Sequence, residues 1–276
     1  MRFTVHHLTI YRYSAPVRLA QHLLRLNPRP DAGRLLAREL TIDPAPFLRE
    51  DAADGFGNLV TRVDFEEPSD HLLIDSRFEF EVGAAAAANA PPPPLPWPVE
   101  ADGPNAVYCG NGAINGAVGA FAAEIAAECG GDALAFLDRL NETLYARIDR
   151  RMREEGAARS AEETLALGSG ACRDLTALFV AACRSLGAPA RFVSGYQAQA
   201  DAPDGRRHLH AWPEAFVPGW GWRAYDPTHG VPVTDGHVPL CAAPEQTQTM
   251  PVEGGFFGGP VKSRLAYEIE IAAERS

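Results

Sequence analysis

The chain has 276 residues, 46% of them apolar and 22% charged, so it can bury a sizeable core, and extended disorder, collagen-like repeats or a long coiled coil describe it poorly. Twenty-five basic against 36 acidic residues leave a net charge of −11, which argues against nucleic acid or an anionic membrane as the main partner. No apolar run approaches the ~20 residues of a spanning helix, and Met1-Arg2-Phe3-Thr4-Val5-His6-His7 has no apolar stretch of signal-peptide length, so a cytoplasmic protein without membrane contact is expected.

Residues 1–82 read as β-rich. The clearest strand is Leu72 to Val82, where Leu72, Ile74, Phe78, Phe80 and Val82 share one face with Ser76, and Asp75, Arg77, Glu79 and Glu81 the other. Leu59, Val63 and Phe65 repeat the alternation just after the turn-forming Asp54-Gly55-Phe56-Gly57-Asn58. Phe3 to Tyr13 and Gln21 to Leu26 are further strand candidates. Residues 83–105 change character: Ala84 to Ala88 precedes Pro91-Pro92-Pro93-Pro94 and Pro96-Trp97-Pro98. Consecutive prolines lack N–H donors and favour an extended chain, so the stretch is read as a linker, with a strap packed through Leu95 and Trp97 as the alternative.

Helical spacing starts beyond the linker. Val118, Phe121, Ile125 and Cys129 form one stripe, stopped by Gly130-Gly131. Leu134, Leu137, Leu144 and Ile148 form a second, with Asp132 as its N-cap. Arg147, Arg150, Arg151 and Arg153 follow as a basic cluster, read as a solvated helix end, where cations suit the dipole, rather than a substrate-docking surface. Ser160-Ala161-Glu162-Glu163 has capping-box spacing and opens a short helix. The last ~30 residues are loop-like up to Pro260, and alternating Leu265, Tyr267, Ile269 and Ile271 predict a closing strand. The expected organisation is a β-rich module at 1–82, a linker at 83–105 and a second module at 106–276.

Chemistry concentrates after Gly168. Gly168-Ser169-Gly170-Ala171 runs into an amphipathic helix whose buried face is Leu175, Leu178, Phe179, Ala182 and Leu186. Cys172 therefore falls in a first helical turn, where unpaired N–H groups and the positive dipole end favour thiolate over thiol. The same N–H groups can stabilise an oxyanion, and Gly170 permits close approach of a substrate. The alternative is a small apolar residue at a helix start. Cys109, Cys129, Cys183 and Cys241 have no activating context and read as core; with Cys172 they make an odd, widely spaced set without C-x-x-C, which suits neither a disulfide framework nor structural zinc.

A thiolate nucleophile wants a histidine, and the histidine an orienting carboxylate. Residues 206–229 read as two strands around a turn at Pro218 to Gly221, with His210, Trp212, Glu214 and Phe216 on one face of the first and Asp226 ending the second. Register decides whether they meet. A three-residue loop pairing Val217 with Gly221 sets Asp226 opposite Trp212 and diagonal to His210, at a reachable ~7 Å; a four-residue loop separates their faces unless a bulge intervenes. Competing readings are a metal held by His208 and His210 with His229 or Asp226, Glu214 as the general base, and Asp226-Pro227 as turn chemistry. Trp212, Trp220 and Trp222 read first as packing residues; the alternative is that one of them walls a substrate groove, and Trp212 is the one assigned to it. Arg173 and Asp174 read as a local ion pair or helix-end carboxylate.

Three blocks together resemble the transglutaminase-like superfamily, in its bacterial branch read as cysteine proteases: Gly170-Ala171-Cys172-Arg173-Asp174, His210-Ala211-Trp212-Pro213-Glu214, and Gly221-Trp222-Arg223-Ala224-Tyr225-Asp226-Pro227-Thr228. Tyr11-Arg12-Tyr13 and Asp54-Gly55-Phe56-Gly57-Asn58 look like the β-rich N-terminal region that accompanies this core in bacteria. Pro213 departs from ordinary strand chemistry, and no Arg-Gly-Arg-Asp-Tyr-like run follows the third block. The resemblance implies an α+β protein whose papain-like core packs a nucleophile helix on an antiparallel sheet. It implies a triad of Cys172 as nucleophile, His210 as base and Asp226 as orienting acid; the residues themselves place Trp212 and Gly170 at the substrate, and neither a metal nor a cofactor is expected. The expected activity is acyl transfer on a peptide or protein amide, by hydrolysis or by transamidation of glutamine. A peptide-binding module on the same fold is the rival.

Overall fold

The computed structural model describes residues 1–83, 90–99, 102–110, 116–153, 156–198, 207–234 and 236–274. Its first part is all β: β1 (Arg2–Leu19), β2 (His22–Leu24), β3 (Gly33–Asp43), β4 (Leu48–Ala53), β5 (Leu59–Asp64) and β6 (Ser69–Val82). Leu72, Ile74, Ser76, Phe78 and Phe80 of β6 are buried on one face, and β1 lies antiparallel to it with Phe3 opposite Phe80 and Val5 opposite Phe78. β3 pairs the other edge of β6, and β4 pairs β5. Sequence periodicity misses β3 and β4, because each is an edge strand: β3 buries Leu40 and Ile42, and β4 buries nothing. β4, solvated on both faces, has no alternation to read; in β3 burial does alternate from Leu36 to Asp43, but Arg38 on the inner face interrupts the apolar series.

The Pro-rich stretch is a docked strap in its described part; Ala84 to Ala88 lies outside the described residues. Leu95 is buried against the helices. Leu95 N–H donates to Gly131 O and Trp97 N–H to Leu186 O, both at 2.8 Å. A Cβ on Gly187 would sit 2.0 Å from Trp97 O, so only glycine lets the strap this close.

Four helices follow among the described residues: α1 (Ala117–Glu128), α2 (Ala133–Arg147), α3 (Ala161–Leu167) and α4 (Cys172–Ser185). The Asp132 carboxylate caps α2, and Ser160 with Glu163 closes a capping box on α3. The short β7 (Asp149–Arg150) and β8 (Ser169–Gly170) pair in parallel. The second sheet comprises β9 (Ala190–Gln197), β10 (Leu209–Val217), β11 (Gly221–Asp226), β12 (Val231–Pro232) and β13 (His237–Ala243), in the order β12-β11-β10-β9-β13. Pro213 lies beyond the β10–β11 ladder, which starts at Glu214, so its missing N–H leaves no bond of that ladder unmade.

The second sheet is covered on both faces. Leu140, Leu175, Leu178 and Phe179 pack with Ala215, Val217 and Tyr225 on the helix side. Tyr196, Val238, Leu240 and Cys241 join Phe3, Leu24, Leu72, Phe78 and other N-terminal residues in a second core. The turn at 54–58 supplies a polar bolt between them. Asp54 Oδ1 accepts the N–H groups of Phe56 and Asn58 at 2.8 and 3.0 Å. The buried Asn58 amide then donates to Ala242 O and accepts from Ala242 N–H, at 2.9 and 2.8 Å, satisfying the edge of β13.

The chain ends with β14 (Val252–Glu253), β15 (Phe256–Phe257) and β16 (Ser263–Glu274). The sequence division assigns the closing strand to the second module, but β16 pairs β1 from Arg2–Glu274 to Tyr13–Ser263. β14 likewise pairs β2, and β15 pairs the end of β1. Chain order and spatial order diverge because β1 otherwise has an open edge of backbone donors and acceptors, which the last strand fills.

Candidate active site

The turn before Cys172 is held by one buried carboxylate. Asp174 accepts the N–H of Ala171 and of Arg159, both at 2.8 Å, and the Arg153 guanidinium at 2.6 Å. A Cβ on Gly170 would come 2.8 Å from Asp174 Cβ, so Gly170 is needed for the turn to pack on its own helix. Cys172 is the first residue of α4, and Leu175, Leu178, Phe179, Ala182 and Cys183 anchor that helix below it.

β10 pairs β11 with Val217 opposite Gly221 and Glu214 opposite Ala224. The loop is thus Pro218-Gly219-Trp220, the three-residue register, and it brings the strand ends together: His210 Nε2 donates to Asp226 Oδ2 at 2.8 Å. Nδ1 is the nitrogen left for Cys172, with which the imidazole shares a hydrogen bond. Asp226 is fully buried and heavily donated to. His229 Nδ1 and His237 Nε2 reach the same Oδ2 at 2.7 and 2.9 Å. The N–H groups of Thr228 and His229 reach Oδ1 at 3.0 and 3.3 Å.

These contacts set the charges. Burial alone pushes the Asp226 carboxyl up, but the His210 charge and the three imidazole N–H donors hold it far below the usual carboxylate range. Burial alone pushes His210 down; the Asp226 charge and hydrogen bond, with Cys172, raise it to about 10. Burial pushes the Cys172 thiol up, and the His210 hydrogen bond and charge, the Ala211 N–H and Arg173 bring it below its ordinary value. All three directions favour a thiolate beside an imidazolium.

Residues 3–81 match the bacterial transglutaminase-like N-terminal region, and residues 119–227 match the transglutaminase-like superfamily. The chain belongs to the transglutaminase-like superfamily. The Mycobacterium tuberculosis protein Rv2569c, named as uncharacterized, is 26% identical over 300 residues, spanning 98% of this chain and 92% of its own. ML0607 of Mycobacterium leprae, also named as uncharacterized, is 33% identical over 109 residues, 38% of this chain and 37% of its own. A Cytophaga hutchinsonii protein described as a candidate cysteine protease superposes with a TM-score of 0.72 at 19% identity, over 100% of this chain and 91% of that one, and so shares the fold.

Within this transglutaminase-like core, other sequence expectations are relocated. Trp212, assigned to the substrate, is 1% exposed and packs with Val193 and Ala242. Its ring lies along that of His210, 6.1 Å between centroids at 29°, so it backs the imidazole instead of walling a groove. Gly195 makes room for it, since a Cβ there would come 2.6 Å from the indole. Glu214 is no free base: Arg191 holds it at 2.6 Å and Arg29 at 3.4 Å. His208 turns to the Tyr267 hydroxyl, 2.8 Å away, and leaves the metal grouping proposed for it. Burial raises the thiols of Cys183 and Cys241, the latter to about 12.

His237 carries no signal in the sequence, since it comes from β13, which β9 separates from β10. Its Nδ1 is buried without a partner, so its proton belongs on Nε2, facing Asp226. His210, Asp226 and His229 offer donor atoms within 4.8 Å of one another and could approach a metal. Their contacts of 2.7 and 2.8 Å to Asp226 Oδ2 are hydrogen-bond lengths, shorter than the roughly 3.3 Å edge of a tetrahedral zinc site.

A cleft of about 690 Å³ opens over Cys172. Gly170, Cys172 and His210 line it, as do His7, Thr9 and Tyr11 of β1 and Leu265 and Tyr267 of β16. The N-terminal sheet therefore forms one wall of the site. This is the consequence of the β1–β16 ladder, and no local sequence pattern announces it.

Proposed function

We propose that this protein is a thiol acyl-transfer enzyme acting on amide bonds, with Cys172 as nucleophile, His210 as general base and acid, and Asp226 as the group that orients and charges His210. The observation that carries the reading is the continuous contact from the Cys172 thiol through the imidazole to a buried carboxylate 2.8 Å away. Cys172 Sγ attacks the amide carbonyl, and the thiol proton resides on His210 Nδ1. The oxyanion forms at the N-terminus of α4, beside the Cys172 N–H and the positive end of the helix dipole. Collapse breaks the C–N bond, and the imidazolium gives its proton to the leaving amine. The product of this half is a thioester on Cys172.

His210 then takes a proton from the acceptor that resolves the thioester. A broad cleft admits water, which favours hydrolysis to a carboxylic acid; an amine bound in the same place gives transamidation. Peptide or protein amides are the substrate class that fits a cleft of this size. The test is turnover of a peptide-amide library by wild type, Cys172→Ala and His210→Ala. Turnover by wild type and loss of at least ~10³-fold in both variants is expected. Full activity in Cys172→Ala excludes the mechanism. Product masses separate hydrolysis from amine incorporation.

A further inference from the structure

The cleft over Cys172 is basic in a protein whose net charge is −11. β7 is the reason. Its ladder sets Arg150 opposite Gly170, and Arg151 N–H donates to Gly170 O at 2.9 Å. The arginine cluster read as a solvated helix end is thus fastened two residues from the nucleophile; α2 stops at Arg147, and the chain turns toward the site. Arg150, Arg151, Arg153, Arg173 and Arg207 line the cleft, and no described lining residue is Asp or Glu.

These guanidinium groups differ in what they face. Arg153 is held by buried Asp174, and Arg151 by Asp149 at 2.5 Å. Arg173 donates to Arg153 O at 2.6 Å. Burial and then the like charge of Arg153 push its pKa down. Arg150 donates to Tyr145 O at 2.6 Å and lies 4.2 Å over the Tyr145 ring. Those two contacts fix its direction while leaving its charge without a carboxylate partner among the described residues. A positioned, solvent-facing guanidinium with spare parallel N–H donors is built to take a carboxylate two-pronged.

We infer that the acyl donor is an anionic peptide, carrying a carboxylate near the reacting amide that Arg150 binds. The inference rests on the thiol reading above. It makes Arg150 a specificity-determining residue, and β7 the element that presents it.

The first test reads the field at the sulfur without any peptide. Alkylation rates of Cys172 are measured with iodoacetate, an anion, and iodoacetamide, its neutral near-isostere, with labelled sites located by peptide mapping. The iodoacetate/iodoacetamide rate ratio should fall about fivefold in Arg150→Gln. In wild type it should shrink as salt rises from about 0.05 to 0.5 M. An unchanged ratio in Arg150→Gln overturns the inference. A Cys172 that iodoacetamide labels no faster than an ordinary thiol near pH 6 overturns the thiol reading instead, and the ratio measured near pH 9.5 still reports the effect of Arg150. The second test separates sources of the carboxylate. Amidated peptides with internal Glu or Gln are one pair; a neutral peptide with a free or amidated C-terminus is the other. The anionic member of one pair should be turned over about tenfold faster, with the advantage lost in Arg150→Gln. Equal rates within both pairs refute the assignment.

Discussion

Replacing Asp226 with Asn tests the electrostatic chain from carboxylate to thiol. In the folded protein His210 stands at about 10 against an ordinary 6.5, a difference worth roughly 5 kcal/mol in favour of the imidazolium. Asp226 is the largest raising influence, and Cys172 shares the effect. Assigning Asp226 about half leaves ~2–3 kcal/mol, or a loss of ion pair on the order of 60-fold when its charge is removed. The assay is the second-order rate of iodoacetamide labelling at Cys172 from pH 5 to 9. Wild type should label rapidly near pH 6, with a nearly flat profile. Asp226→Asn should label about 60-fold more slowly there and rise only toward the range of a free thiol. The variant should also be less stable at neutral pH. The folded carboxyl is depressed, so its stabilisation is present above the unfolded value of ~3.9 and is lost as pH falls through the folded one. A labelling profile for Asp226→Asn that overlays wild type would refute the reasoning, because no other described carboxylate touches His210.

Three further outcomes follow from packing and burial. Gly187→Ala places a Cβ 2.0 Å from Trp97 O at a φ of 77°, and a loss of roughly 3 kcal/mol or more is expected in urea denaturation; a change below ~1 kcal/mol would mean that the strap does not bear on the helix end. His7 is buried, and burial followed by the His6 charge lowers it to about 4. Its folded form therefore binds fewer protons than the unfolded chain between pH 4 and 6.5, so stability should rise with pH across that window, by roughly 3 kcal/mol. In His7→Gln, where the amide can still meet Tyr196, most of that slope should vanish; an unchanged slope assigns it elsewhere. A chain ending at Lys262 loses β16 and opens the edge of β1 over Arg2–Tyr13, and should show faster proteolysis within β1 and greater aggregation; resistance equal to the full chain would show that β1 needs no cover.

Local chemistry made several elements legible before any fold was in view. β6 shows period two, α4 shows an apolar stripe, and Ser160 with Glu163 announces a cap, because each pattern lies within one element. The pairing of His210 with Asp226 was legible as a condition: a hairpin with a three-residue loop joins them, and a four-residue loop separates them. The edge strand β4 was not legible, since a strand solvated on both sides carries no periodic burial, and β3 was not because Arg38 breaks the apolar series on its inner face. The solvated-helix-end reading of 147–153 holds for Arg147, in the last turn of α2, but does not reach Arg150, which lines the cleft. A two-residue parallel ladder has no sequence signature, yet it sets Arg150 opposite Gly170, two residues from Cys172.

By itself the sequence determined which residues have the chemistry for the site: a cysteine at a helix start, a histidine and an aspartate at the ends of a hairpin, and glycines where the turn is tight. Those follow from covalent geometry and from contacts near in chain order. Tertiary structure decided how the site is charged and walled. His237 comes from β13, with β9 between it and His210 in the sheet. Trp212 turns inward because Gly195 leaves it space. The first and last strands of the chain meet to form one side of the cleft. These depend on contacts distant in sequence, which long-range packing and the need to satisfy every open strand edge select together.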